Sequence, residues 1–223
     1  MKKSILFKLI AAPFLIFALF CVCALFGVFF DDRSVMMSSD LVEVFIMIIA
    51  GSICGGAFFL AGCKRDNRPR VFWWMMLAIS VVYAVILFFL LYGNVSMMRK
   101  NANIKTYSLV PLKTIKNYFM AYKNNTISKG TVIDNIFGNL VVFCPAGYII
   151  PFFIKKARKL HWFCLIMLVI LCMVEFVQFL TGRGNMDIDD VILNFLGAVI
   201  FFFLTWNRLV TGWMTKLGLY KEA

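Results

Sequence analysis

Apolar runs of about twenty residues, separated by short polar clusters, occupy most of this chain. Six can be marked: Leu6–Phe30, Leu41–Gly62, Val71–Tyr92, Asn135–Ile154, Trp162–Leu180 and Val191–Asn207. Runs of this length cross the hydrocarbon core as helices, and none shows the apolar–polar alternation of a barrel strand. The pattern therefore predicts an all-α, polytopic integral membrane bundle of about six transmembrane helices. Composition agrees, with 62% hydrophobic residues and a mean hydropathy of +0.88, far from the soluble globular range. No region between the runs is long enough for a soluble domain. Lys2 and Lys3 precede the first run as they would in a signal peptide, but the apolar stretch is too long and no small-x-small cleavage site follows. It reads as a retained helix, with Pro13 placed to kink it.

Charge orients the bundle. The net charge is +12. With six alternating spans and a cytoplasmic N-terminus, the inner segments carry fourteen basic residues and two acids, Asp66 and Glu222. The outer segments carry nine of each. The positive-inside rule thus predicts N-in and C-in. Basic residues split among short membrane-flanking loops suit anionic headgroups and speak against nucleic acid as a partner. The lipid bilayer is the partner that the composition requires. Of the seven cysteines, Cys21, Cys23, Cys54, Cys144, Cys164 and Cys172 fall inside the expected spans and Cys63 directly follows the second; all read as buried apolar thiols.

The segment 93–133 is the longest connection and is basic, with Lys113, Lys116 and Lys123 among its charges. Leu112, Ile115, Phe119 and Tyr122 recur at helical spacing, and Pro111 suits a first helical position. The expectation is a helix over Pro111–Lys123, lying on the outer leaflet or solvated as a loop helix. Gly51 and Gly55 form a small-xxx-small pattern that permits close helix packing and leaves a homo-oligomer open.

Two stretches place polar side chains where a membrane helix disfavours them, and such residues mark a site. Asp134, Asn135 and Asn139 lie in the outer half of the fourth span, with Asn135 and Asn139 on one face. Gly138 gives a place for a neighbouring backbone, and Pro145 with Gly147 breaks the same span near mid-membrane. Glu175 and Gln178 share a face at the outer end of the fifth span. Asp187, Asp190 and Asn194 form a stripe on the sixth span, Gly197 continues it, and Arg183 sits in the tight loop before it. Three separate segments thus deliver carboxylates, amides and a guanidinium to one membrane side. Each residue alone has an ordinary structural explanation. Asp189 or Asp190 can cap the sixth helix, amides can join helices, and Arg183 can pair with Asp187. The whole set exceeds what packing needs. The candidate binding residues are Asn135, Asn139, Glu175, Gln178, Arg183, Asp187, Asp190 and Asn194. Asp187, Asp189 and Asp190 offer hard oxygen ligands, so a divalent cation is open, although nothing in the sequence demands a cofactor.

The pattern N-x-x-G-N-x-x-x-F-x-P-x-G-x-x-x-P is met by Asn135, Gly138, Asn139, Phe143, Pro145, Gly147 and Pro151. E-x-x-Q, G-R, D-x-D-D and N-x-x-G follow at Glu175, Gln178, Gly182, Arg183, Asp187, Asp189, Asp190, Asn194 and Gly197. Upstream lie Arg99 and the stretch Leu109-Val110-Pro111-Leu112-Lys113-Thr114-Ile115. In these elements, across about Val71 to Phe203, the chain resembles the VanZ-like membrane proteins. The resemblance implies location in the bacterial plasma (inner) membrane and, for some members, lowered sensitivity to glycopeptide antibiotics such as teicoplanin. It divides the chain into an N-terminal two-helix extension (1–70), a VanZ-like membrane domain (71–207) and a cytoplasmic tail (208–223).

Three functions compete. The first is a non-enzymatic envelope protein whose outer cluster binds or modulates a lipid-linked wall precursor or a glycopeptide. The second is a membrane enzyme acting on a lipid or phosphate-bearing substrate through the acidic cluster. The third is a small-solute transporter built on the Pro145 break and Glu175. The sole histidine, His161, falls in an inner loop, so phosphohistidine and Ser–His chemistry at the cluster are excluded.

Overall fold

The computed structural model describes residues 4–16, 38–92, 107–181 and 186–219, without the side chains of 38–46, 49, 89 and 134. Nearly all of it is helical, in keeping with the all-α expectation. Four helical stretches are long and apolar enough to cross a membrane: Arg65–Tyr92, Lys129–Phe153, Leu160–Thr181 and Ile188–Thr205. Ser4–Ile16 and Ala50–Ala61 are shorter apolar helices. Cys21 and Cys23 lie outside the described residues, and the five described cysteines are free thiols. The chain forms two compact units, residues 1–89 with 212–223, and residues 90–211.

The first unit holds α1 (Ser4–Ile16), α2 (Ser38–Ala61) and most of α3 (Arg68–Tyr92). Small residues set its packing: Gly55 abuts Leu15, Gly56 abuts Met75, and Gly62 abuts Ser4. Phe14 stacks on Phe58 at 5.9 Å. The basic turn before α3 does more than flank a membrane. Arg65 and Arg68 donate to the carbonyls of Lys216 and Leu217 at 3.3 and 3.2 Å. Those carbonyls end α9 (Arg208–Lys216), where orphan oxygens and the helix dipole favour cations. Gly218, at φ +71°, supplies the left-handed residue that ends the helix there. The segment expected as the cytoplasmic tail (208–223) is helical over Arg208–Lys216.

The second unit carries the polar stretches. In order it contains β1 (Tyr107–Ser108), α4 (Lys113–Lys123), α5 (Lys129–Val142), α6 (Ala146–Phe153), α7 (Leu160–Thr181), β2 (Met186–Asp187) and α8 (Ile188–Thr205). α8 is central and packs on α5, α6 and α7. Gly197 of α8 lies against the Leu140 carbonyl of α5, and Gly147 of α6 lies against the Ala198 carbonyl of α8. No side chain fits at either contact, so the backbones approach as closely as glycine allows. Phe163 of α7 stacks on Phe202 of α8 at 4.7 Å, and Phe143, Met167 and Leu171 complete the core.

Pro145 breaks the helix, as its missing N–H requires, and divides α5 from α6. The gap is closed locally rather than left open. Cys144 and Ala146 donate to Val141 and Phe143 at 3.0 and 3.1 Å. The Cys144 thiol bonds the Leu140 carbonyl at 3.3 Å. Two expectations change. A Cβ on Gly138 would meet nothing within 4 Å among the described residues, so no described backbone lies beside this glycine. Pro111 does not begin α4; it sits in a turn, and Leu112 precedes the helix with a left-handed φ of 63°.

The two glycines of the motif regions therefore separate by experiment. Gly197→Ala should lower stability by about 2–4 kcal/mol, because backbone must move to admit the methyl. Gly138→Ala should change it by less than about 1 kcal/mol, in the stabilising direction. Thermal unfolding of the detergent-solubilised chain measures both, and equal effects would refute the packing described.

Candidate functional site

The polar residues of α4, α5, α7 and α8 meet at the N-terminal end of α8. The local sequence explains how. Asp187 is extended and caps α8, its Oδ1 accepting the Asp189 N–H at 2.9 Å. β2 pairs in parallel with β1, setting Ser108 opposite Asp187 and Tyr107 opposite Met186. This two-residue ladder holds the turn 109–112 beside the start of α8.

Asp189 uses that proximity. It is 1% exposed, and its carboxylate accepts three backbone N–H groups at the start of α4, those of Leu112, Thr114 and Ile115. The Thr114 and Ile115 bonds are 2.8 and 3.1 Å. α4 has no side-chain cap of its own, because Leu112 stands at the capping position. Asp189 caps it from across the fold and offers negative charge to the positive end of the helix dipole. A left-handed leucine costs roughly 1–2 kcal/mol, which three charge-assisted bonds offset.

Around this anchor the other groups form a connected network. Thr114 Oγ1 donates to Asp187 Oδ2 at 2.6 Å. The Asp187 N–H donates to Glu175 Oε2 of α7 at 3.2 Å, and Glu175 is buried. Asn139 Nδ2 of α5 donates to Asp190 Oδ1 of α8. Tyr118 of α4 stands close by. Burial foremost, and the carboxylates of Asp190 and Asp187 next, push its phenol above the ordinary value. On α4 the half-covered positions are Thr114, Ile115, Tyr118 and Ala121, whereas Leu112, Phe119 and Tyr122 are exposed. The face turned to the network is thus not the apolar row that spacing suggests.

The structure brings together Asn139, Glu175, Asp187, Asp189 and Asp190. Asn194 lies buried one turn deeper, with Oδ1 lacking a partner among the described residues. Asn135 turns back to its own helix, donating to the Thr131 carbonyl at 2.7 Å. Gln178 donates to the Leu91 carbonyl at 3.4 Å, away from the carboxylates. Arg183 lies outside the described residues, as does the side chain of Asp134. Among the described residues no group of three His, Cys, Asp or Glu is disposed to hold a metal ion. Both Asp187 oxygens and both Asp189 oxygens instead face protein donors. His161, in the first turn of α7, is fourteen residues from Glu175, or about 21 Å along the helix.

Sequence reasoning missed Thr114, Tyr118, Ser108 and the α4 backbone donors as members of the site. The stretch Leu109–Ile115 was the available signal, since it accompanied the acidic motif without an assigned role.

Asp189→Ala should destabilise the chain by about 2–4 kcal/mol by stranding three part-buried donors, and Asp189→Asn by less. The loss should appear as a lower unfolding temperature in detergent. Unchanged unfolding of both variants would remove Asp189 from its anchoring role.

Neither a curated protein nor a solved structure matches the chain. The family model VanZ/LLP1 matches residues 74–211, which take in α4 to α8 and every residue of the network. The chain is a membrane protein of the VanZ/LLP1 family.

Proposed function

We propose that the chain is a six-span, N-in/C-in protein of the bacterial plasma membrane whose outer polar cluster binds or modulates an envelope amphiphile. The bound group is a lipid-linked wall precursor or a glycopeptide, and the outcome is lowered sensitivity to glycopeptide antibiotics such as teicoplanin. One observation carries the reading. Polar groups of four helices are joined by hydrogen bonds at a single end of an otherwise apolar bundle. Packing alone does not need so many buried polar groups, and each must be fixed by neighbours to be tolerated there. The exposed apolar side chains Leu112, Phe119 and Met120 beside the cluster suit the boundary between headgroups and acyl chains, which an amphiphile also occupies. The Asp187 and Asp189 carboxylates, with all four oxygens engaged by protein donors, favour binding over cation-dependent hydrolysis. The closed break at Pro145 likewise gives a transport path little support.

Expression of the chain in a glycopeptide-sensitive bacterial host should lower teicoplanin sensitivity. Asp190→Ala and Arg183→Ala should each reverse that effect severalfold at unchanged membrane abundance. Minimal inhibitory concentrations and immunoblots of membrane fractions decide it. Both variants protecting as well as the parent chain would defeat the proposal.

A further inference from the structure

The hydrogen-bond partners of the network are unevenly distributed, and the imbalance has a direction. Asp189 and Asp187 are saturated by backbone and hydroxyl donors. Asp190 is not: Asn139 occupies Oδ1, and Oδ2 accepts from no described residue. Asn194, 5% exposed, holds a second acceptor without a donor at Oδ1. The two belong to one stripe. Asp190 meets Asn139 of α5, and Gly197 meets Leu140 of α5, so the α8 face between them, which carries Asn194, is turned to the same helix. No described lysine or arginine pairs with Glu175, Asp187, Asp189 or Asp190. Among the described residues the stripe thus holds two acceptor oxygens that no donor meets. A group with several N–H donors and a positive charge would satisfy both atoms.

Building on the reading that this cluster binds an envelope amphiphile, we propose that Asp190 and Asn194 form a subsite for a primary ammonium group. Such a group has two sources at the outer face, an aminophospholipid headgroup or the free amine of a peptide. The subsite demands N–H donors as well as charge, so a quaternary ammonium is a poor ligand. Asn194 has a further property. A buried amide oxygen left without a donor costs stability, so the isosteric Asn194→Leu should leave the fold unharmed or firmer while abolishing recognition.

The test uses the full chain in detergent micelles with native mass spectrometry of retained lipid. Phosphatidylethanolamine and phosphatidylcholine carry the same charge but differ at the ammonium, three N–H donors in one and three methyl groups in the other, and phosphatidylglycerol is the anionic control. Phosphatidylethanolamine should be retained about tenfold above phosphatidylcholine, and Asp190→Asn or Asn194→Leu should erase the difference. Asp190→Asn keeps an oxygen for Asn139, so loss of binding should come without loss of folding. A parallel arm uses the peptide lysyl-D-alanyl-D-alanine and its fully N-acetylated form. If only the free peptide binds, and Asp190→Asn abolishes that binding, the ammonium subsite stands and its source is a peptide. If neither amine is preferred while Asp190→Asn still alters retention of phosphatidylglycerol, the ammonium inference falls and the binding cluster survives. If Asp190→Asn changes nothing in either arm, both fall. A lowered unfolding temperature for Asn194→Leu with retention intact would make Asn194 helix-joining glue and also overturn the inference.

Discussion

The polar end of this protein depends on one buried anion. The Asp189 carboxylate has no described basic partner, yet it is almost fully enclosed. It is tolerated because three backbone N–H groups at the start of α4 point at it. The arrangement works in both directions. The carboxylate supplies the cap that α4 lacks, and α4 supplies the desolvated charge with donors and a favourable dipole. From that contact Thr114 falls beside Asp187, Tyr118 falls beside Asp190, and the turn 109–112 is held against α8. Remove the anion and the network has no common origin.

The apolar packing beneath determines the depth at which the anion sits. Gly147 and Gly197 let α6 and α5 approach α8 backbone to backbone, without a side chain between them. Association of helices in lipid gains little from the hydrophobic effect, so close contact and buried hydrogen bonds carry it. Here the glycines give the contact and the carboxylates give the bonds. The Pro145 break belongs to the same construction. It shortens α5 so that α6 can turn its glycine to α8, and local bonds absorb the freed carbonyls.

Much of this was legible in the chain and some was not, for physical reasons. Helical character follows from apolar runs that are too long and too uniform for strands. The joining of Asn139, Glu175, Asp187 and Asp190 follows from helical spacing and a shared depth. The role of Asp189 was not legible, because its partners are backbone groups 74 to 77 residues away and carry no side-chain signature. Pro111 misled for a related reason. It fits the first turn of a helix, but the distant cap moves the start to Lys113 and leaves Leu112 left-handed. Gly138 and Gly197 look alike in sequence, and only the positions of neighbouring helices tell them apart. Asn135 and Gln178 share faces with network residues, yet each spends its amide on a nearby carbonyl. Spacing fixes a face and not a partner.

Hydrogen exchange at single amides of the unmodified chain tests the central contact most directly. If Asp189 caps α4, the amides of Leu112, Thr114 and Ile115 should exchange as slowly as those inside α8, although an uncapped first turn would leave them open to water. Exchange of these three amides as fast as that of the exposed residues beyond Lys123 would contradict the account.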